Sequence, residues 1–276
     1  AGSKGTMTVR VSAPAGAGSG EIKPHVVVNG VTYSTQRKEI SYPHLPHLLL
    51  QPPAVVKAVA ADVQHKGTMV GYLPGAGDST AEALEQIGYK VKRLETKDLS
   101  ADGLKGLDAV VIGVRAFNTR NDLAPASATL KAIFDFAEAG GTVVEQYNRP
   151  DGLRNTTLAP YGISLSALRV TDENAKVTFL APDSPALNVP NRITEADFAN
   201  WVQERNIYLP QQFAPEFKPI LGMADPGETP PNSSLLIAQH GKGYFVYTSL
   251  VFFRELPAGN AGAYRLFANL VSLGKQ

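Results

Sequence analysis

Polar side chains gather just past two apolar runs. Arg115, Asn118 and Arg120 follow residues 108–113, while Gln146, Tyr147, Asn148 and Arg149 close or follow residues 142–147. If both runs are parallel strands, these groups stand at the carboxyl ends, where open α/β sheets bind ligands. Guanidinium, amide and phenol groups at such an edge suit an anionic or polyhydroxylated ligand. The same groups equally serve as loop caps and ion pairs, and both readings stay open. Arg254 trails a later run ending near Leu250, and the expected topology brings it to one rim with Arg115, Asn118, Tyr147 and Asn148. A cleft holding Arg115 and Arg254 without a carboxylate would be electropositive; entry of Glu204 would turn it into a structural ion-pair cluster. Trp201, the single tryptophan, offers either a stacking face for a sugar or a core anchor.

Other constellations lack a full set of partners. Leu73-Pro-Gly-Ala-Gly-Asp-Ser-Thr80 lies between a strand and a helix; Gly75 and Gly77 would let a phosphate approach, and Glu95 would hold a ribose. Thr80 replaces the third glycine of that fingerprint and Asp78 repels a pyrophosphate, so the alternative is a tight turn with an Asp or Ser helix cap. His44 and His47 have a spacing seen in zinc sites, but Pro43 and Pro46 oppose the helix that would align them, and no third ligand lies nearby. No metal site and no cofactor is expected. The absence of cysteine excludes disulfides, thiolate metal sites and cysteine nucleophiles. No Gly-x-Ser-x-Gly occurs, and His25, His44, His47 and His65 all precede the α/β part, leaving His240 at a hairpin end. A hydrolytic triad therefore has no natural assembly.

The elements that must position these groups fall into two blocks. Residues 1–65 are rich in Gly, Pro, Ser and Val and show no helical period. Residues 7–12 alternate like a strand, 25–34 form a hairpin about Asn29-Gly30, 42–53 carry four prolines and should be extended, and 54–63 read as a further strand. This block is expected to be a small β-unit, the end of a β-sandwich. From residue 66 strands alternate with helices. Residues 68–73, 90–94, 108–113 and 142–147 read as strands; a helix runs from Asp78-Ser79 to Ile87, and another starts near Pro125 and ends before Gly140. Leu130, Ile133, Phe134 and Ala137 share one face of the second helix. Such alternation predicts a mostly parallel sheet with helices on both faces. Further on, 176–180 read as a short strand, Thr194-x-x-Asp197 as a helix start, 235–240 and 244–250 as a hairpin, and Ala263, Leu266, Phe267 and Leu270 as a closing helix. Among 276 residues, 26 are Lys or Arg and 25 Asp or Glu, a net charge of +1 without the clustered basic excess of a nucleic-acid binder. No apolar run approaches the ~20 residues of a membrane span. The start AGSKGTMTVR reads as a cut or engineered end, so the chain is expected to be a piece of something longer.

Five segments resemble the carboxy-terminal region of large bacterial PIG-L-type deacetylases: GYLPGAGDSTAEALEQIGYKV, DAVVIGVRAFNTR, GGTVVEQYN, PNRITEADFANWVQERNIY and GKGYFVYTSLVFFRELPAGNAGAYRLFANLVSL. The likeness spans roughly residues 40–276, and 191–208 is its most specific stretch. It implies a flavodoxin-like, class I glutamine amidotransferase-like (ThuA-like) α/β domain over 66–276. It also implies a parent enzyme that removes acetyl groups from N-acetyl sugars with zinc, and a periplasmic or extracellular location. The family's His-Pro-Asp-Asp zinc motif is nowhere in the chain, so the deacetylase domain would be an amino-terminal part missing from it. The amidotransferase cysteine turn falls on Gln146, Tyr147 and Asn148, and that fold's His and Glu fall near Phe252, Phe253 and Arg254. Neither catalytic element is present. The expectation is a pseudoenzyme: a non-catalytic accessory module with no catalytic residue, binding glycan or docking the parent through Arg115, Asn118, Tyr147, Asn148, Trp201, Glu204 and Arg254. The alternative is a hydrolase of unrecognised chemistry using Arg115, Asn148, Glu204 and Arg254.

Overall fold

The computed structural model describes residues 5–12, 18–229 and 231–275, in two units, 1–61 and 62–276. Residues 1–4 of the AGSKGTMTVR start and 13–17 of the expected β-segment lie outside the described residues. In the first unit the backbone forms three antiparallel pairs: Ser19–Ile22 with Val56–Val59, Val26–Val28 with Val31–Tyr33, and Lys38–Ile40 with Leu48–Leu50. Asn29 and Gly30 turn the second pair with φ of 50° and 79°, the doubly left-handed geometry that Asn-Gly favours. Residues 7–12, expected as a strand, form none. Their side chains are exposed and their backbone pairs with no described residue, and alternation makes a strand only where a partner and a buried face exist.

The second unit is built on one sheet. Its strands are β1 Met69–Leu73, β2 Lys90–Arg93, β3 Ala109–Ile112, β4 Thr142–Gln146, β5 Val177–Phe179, β6 Phe217–Met223, β7 Leu235–His240 and β8 Gly243–Thr248. They lie in the order β5-β6-β7-β8-β4-β3-β1-β2. The run β2-β1-β3-β4-β8 is parallel, and β7, β6 and β5 extend it antiparallel. The parallel part has the flavodoxin-like order. The helices are α1 Thr80–Gln86, α2 Ala101–Leu104, α3 Ala116–Thr119, α4 Ala128–Glu138, α5 Pro185–Asn188, α6 Phe252–Glu255 and α7 Ala261–Val271. Alternate residues of β3 feed two cores. Ala109 and Val111 join Leu84, Leu266 and Phe267 on one face, while Val110 and Ile112 join Leu104, Leu130 and Ile133 on the other. Helices on both faces are why β3 is apolar on both of its sides. No helix among the described residues is long and apolar enough to cross a membrane.

Several boundaries differ from those read in the sequence. α4 starts at Ala128, not near Pro125: Ala126 takes a φ of 56° and breaks the helical path, and Ser127 caps the new start by accepting from Leu130 N. β6 contains Pro219, which argues against a strand, but a register shift against β7 between Pro219 and Leu221 accommodates it. Residues 195–198 form a single 3₁₀ turn closed by the Thr194–Asp197 capping box. The loop that follows is pinned just past the end of β8, because Ile207 N donates to Ser249 O and Asn206 bridges Leu250.

Candidate functional site

β3 and β4 end side by side, and the chain beyond each is locked to the other. Arg115 N donates to Tyr147 O (2.8 Å), and Phe117 N donates to Asn148 Oδ1 (3.0 Å). Asn148 is fully buried; its Nδ2 donates to Glu145 Oε1 (2.7 Å) and Gln146 O (3.3 Å). Asn118 Oδ1 accepts from Arg149 N (2.9 Å), and its Nδ2 donates to the carbonyls of Arg149 (3.0 Å) and Asp151 (3.2 Å). An amide carries one acceptor oxygen and two donors, which match the orphan backbone groups left where strands end. Both asparagines therefore work as loop caps and offer no free group to a ligand.

The two caps present Arg115 and Tyr147. Arg115 has left-handed backbone, φ 57° and ψ 28°, which costs a non-glycine residue roughly 1 kcal/mol. Its Nε is sheltered without a hydrogen-bond partner, and the head group bonds to no described residue. The Tyr147 ring lies 5.2 Å from Phe253 and 6.0 Å from Tyr208. Arg254 sits over Phe253 at 4.7 Å and Arg169 over Tyr208 at 6.0 Å. The buried Glu204 carboxylate joins these two arginines: Oε1 accepts from Arg254 Nε (3.0 Å), and Oε2 accepts from Arg169 Nη2 (2.7 Å) and Nε (3.2 Å). Arg254 Nη1 also donates to Gln203 Oε1 (2.8 Å). Burial pushes the Tyr147 phenol above its ordinary pKa, against the pull of the Arg115 and Arg254 charges. Gln203 and Tyr208 share the left-handed backbone of Arg115, with φ of 73° and 56°. Strained backbone of this kind gathers where the surroundings over-determine it, often at ligand sites.

The structure thus brings together Arg115, Tyr147, Glu204 and Arg254, and adds Arg169, Tyr208 and Phe253. Arg254 belongs to the ion-pair cluster that Glu204 was expected to create, and Arg115 stays outside it. Trp201 does not reach the site. Its ring is buried 5.3 Å from Phe198 and 6.3 Å from Phe252, and Nε1 donates to Asp197 O (3.1 Å). It is a core anchor with no face for a sugar. The three residues missed in the sequence carry little signal: Arg169 arrives on a two-residue strand, Tyr208 sits in an irregular loop, and Phe253 hides in an apolar run.

Below this cluster, Glu255 accepts Val202 N on both carboxylate oxygens (3.0 and 3.1 Å) and so holds the root of the loop bearing Gln203 and Glu204. Burial pushes Glu255 up to about 7, and holds the fully buried Glu145 well above the usual carboxylate range. The glycine-rich loop after β1 serves the protein's own backbone. Asp78 accepts from Tyr72 hydroxyl (2.8 Å), Thr80 N (2.8 Å) and Val114 N (3.0 Å), and a Cβ on Gly75 would fall on the backbone of Val114 and Ala116. The close approach that glycine permits is to the turn after β3, not to a phosphate. Glu95 caps the 96–98 turn and pairs with Lys97 at 2.8 Å. His47 lies 3.5 Å from Glu39, His240 Nδ1 lies 3.1 Å from the Tyr161 hydroxyl, and no group of three potential metal ligands occurs among the described residues.

No known family and no curated protein matches the chain. Solved structures do resemble it. A cytoplasmic protein of Salmonella typhimurium LT2 is 12% identical, with a TM-score of 0.49 over 76% of this chain and 100% of its own. PurLQS of Thermotoga maritima is 13% identical, with a TM-score of 0.46 over 74% of this chain and 97% of its own. A ThuA-like protein of Bacteroides uniformis ATCC 8492 is 13% identical, with a TM-score of 0.43 over 77% of this chain and 92% of its own.

Proposed function

We propose that this chain is a non-catalytic accessory module of a PIG-L-type N-acetyl-sugar deacetylase and holds a glycan at the carboxyl edge of its sheet. The observation that carries this reading is the half-buried Tyr208 and Phe253, packed on the buried Tyr147 and rimmed by the guanidiniums of Arg115, Arg169 and Arg254, with the Glu204 carboxylate beside them already bonded to two of these arginines. Aromatic faces and guanidinium donors together recognise sugar rings and their hydroxyls. The hydroxyls of Tyr147 and Tyr208 bond to no described residue, and Tyr208, the half-buried one of the two, offers its hydroxyl to a ligand. Where the amidotransferase fold carries its cysteine, the turn holds Gln146, Tyr147 and the fully bonded Asn148. Both oxygens of Glu204 are taken by arginine, so this carboxylate is not free to act as a base. The link to a deacetylase rests on the residue runs that resemble that family, above all 191–208.

The test is direct. The purified chain should bind N-acetylglucosamine oligosaccharides in titration calorimetry, Tyr208→Ala should weaken that binding, and no acetate should be released with or without added zinc. Absence of saccharide binding, or acetate release that EDTA abolishes and zinc restores, would overturn the reading.

A further inference from the structure

The three guanidiniums at the site are not equivalent, and the difference names the ligand more closely. Arg169 and Arg254 are both fastened to Glu204, through Nε and Nη2 in one and Nε in the other. Arg254 Nη1 is further taken by Gln203. Held against Tyr208 and Phe253, each retains one amino group free of protein bonds, Nη1 of Arg169 and Nη2 of Arg254. A single free amino group can meet a hydroxyl but cannot form the paired fork that binds a carboxylate. Arg115 is the opposite case. It makes no hydrogen bond or ion pair with its head group, its Nε is sheltered without an acceptor, and its backbone is held in a left-handed conformation that a glycine would adopt without strain. The nearby carboxylates are engaged elsewhere: Asp78 by Tyr72, Thr80 and Val114, and Glu204 by its two arginines. The charges of Arg115, Arg169, Arg254 and Glu204 therefore leave an excess of two positive charges beside the half-buried rings of Tyr208 and Phe253.

We propose that the ligand is an acidic saccharide whose uronate carboxylate is taken by the Arg115 guanidinium while its ring lies against the half-buried Tyr208 and Phe253. This rests on the glycan-binding reading above and goes beyond it by assigning charge to the ligand and the reading of that charge to one residue. The exposed amino groups of Arg169 and Arg254 then meet ring hydroxyls, which gives the site one charged contact and several neutral ones. A desolvated arginine–carboxylate pair discriminates strongly, because the neutral analogue leaves the guanidinium unpaired in the complex.

The experiment compares three ligands against the purified chain by calorimetry: a hyaluronan tetrasaccharide, the same tetrasaccharide with its carboxylates reduced to alcohols, and acetate alone. The acidic tetrasaccharide should bind about tenfold or more tightly than its reduced form. Arg115→Gln should bring the two to within about twofold of each other, the loss falling on the acidic form, while Tyr208→Ala should weaken both together. The preference should also shrink with added salt. Equal binding of acidic and reduced forms, or a preference that survives Arg115→Gln, overturns the assignment and leaves the glycan-binding reading standing. Acetate binding as tight as the tetrasaccharide overturns the saccharide part. Binding of neither tetrasaccharide defeats both proposals.

Discussion

Replacing Arg115 with glycine should make the protein more stable while removing its preference for acidic ligands. Two contributions act in the same direction. Left-handed backbone costs the arginine roughly 1 kcal/mol, which glycine does not incur. The sheltered, unpartnered Nε costs on the order of 1–3 kcal/mol and disappears with the side chain. Against them stands the extra freedom of glycine in the unfolded chain, about 0.5–1 kcal/mol. Packing of the lost aliphatic stem offsets part of the remainder, so the net gain should be about 1 kcal/mol. Arg115→Ala separates the contributions, because it removes the Nε but keeps a Cβ on left-handed backbone. The alanine variant should keep most of that gain, and the glycine variant should lie about 0–0.5 kcal/mol above the alanine one. Guanidinium denaturation followed by tryptophan fluorescence is the assay. Trp201 is the sole tryptophan and is buried in the larger unit, so the signal reports the unit that carries Arg115. A loss of more than about 1 kcal/mol in both variants would show that the guanidinium holds the turn together, and the argument that it is held free for a ligand would fail.

Glu255 provides a pH signature. Its folded pKa, about 7, lies above its ordinary 4.5, so the folded state binds the extra proton. Its contribution is fully present below about 4.5 and is lost as pH rises through 7. The parent should lose stability across that window in denaturation series, and Glu255→Gln should lose less, with the residual slope carried by Glu145; an identical slope in both proteins would refute the assignment. Gly75→Ala should cost about 1–3 kcal/mol, since its Cβ meets backbone at Val114 and Ala116, and a neutral effect in thermal melting would show that the loop after β1 moves freely. Glu204→Ala should cost about 2–4 kcal/mol by leaving two arginines unpaired, towards the lower end because both reach solvent, whereas Arg169→Ala should cost under about 1 kcal/mol in the same melts.

What could be read in the chain follows from how far each signal travels. The alternation of β1, α1, β2, β3, α4 and β4 was legible because burial on both sheet faces and capping at helix ends act over a few residues. Leu130, Ile133 and Ala137 show their buried face without any knowledge of what covers it. The antiparallel extension was only partly legible: β6 is interrupted by Pro219, and its tolerance depends on a register shift against β7 that no local pattern announces. The site is harder still, because its groups come from five separate stretches, around 115, 147, 169, 204–208 and 253–254. At the edge of one of them Trp201 turns into the core and Glu204 to the arginines, three residues apart in an irregular loop without a period to sort them. Arg115 is the most instructive residue of the set. Its position has the backbone that glycine would signal to any reader of turns, but the residue there is an arginine, so the sequence hides the turn and the turn hides the strain. Only when the surrounding bonds are known, Arg115 N to Tyr147 O and Asn148 to Phe117 N, does it become clear that the conformation is imposed from outside and that the side chain is left with no protein partner. A charged residue held in strain and left unpaired is explained by a ligand more readily than by the fold, because the fold alone would be served as well by glycine.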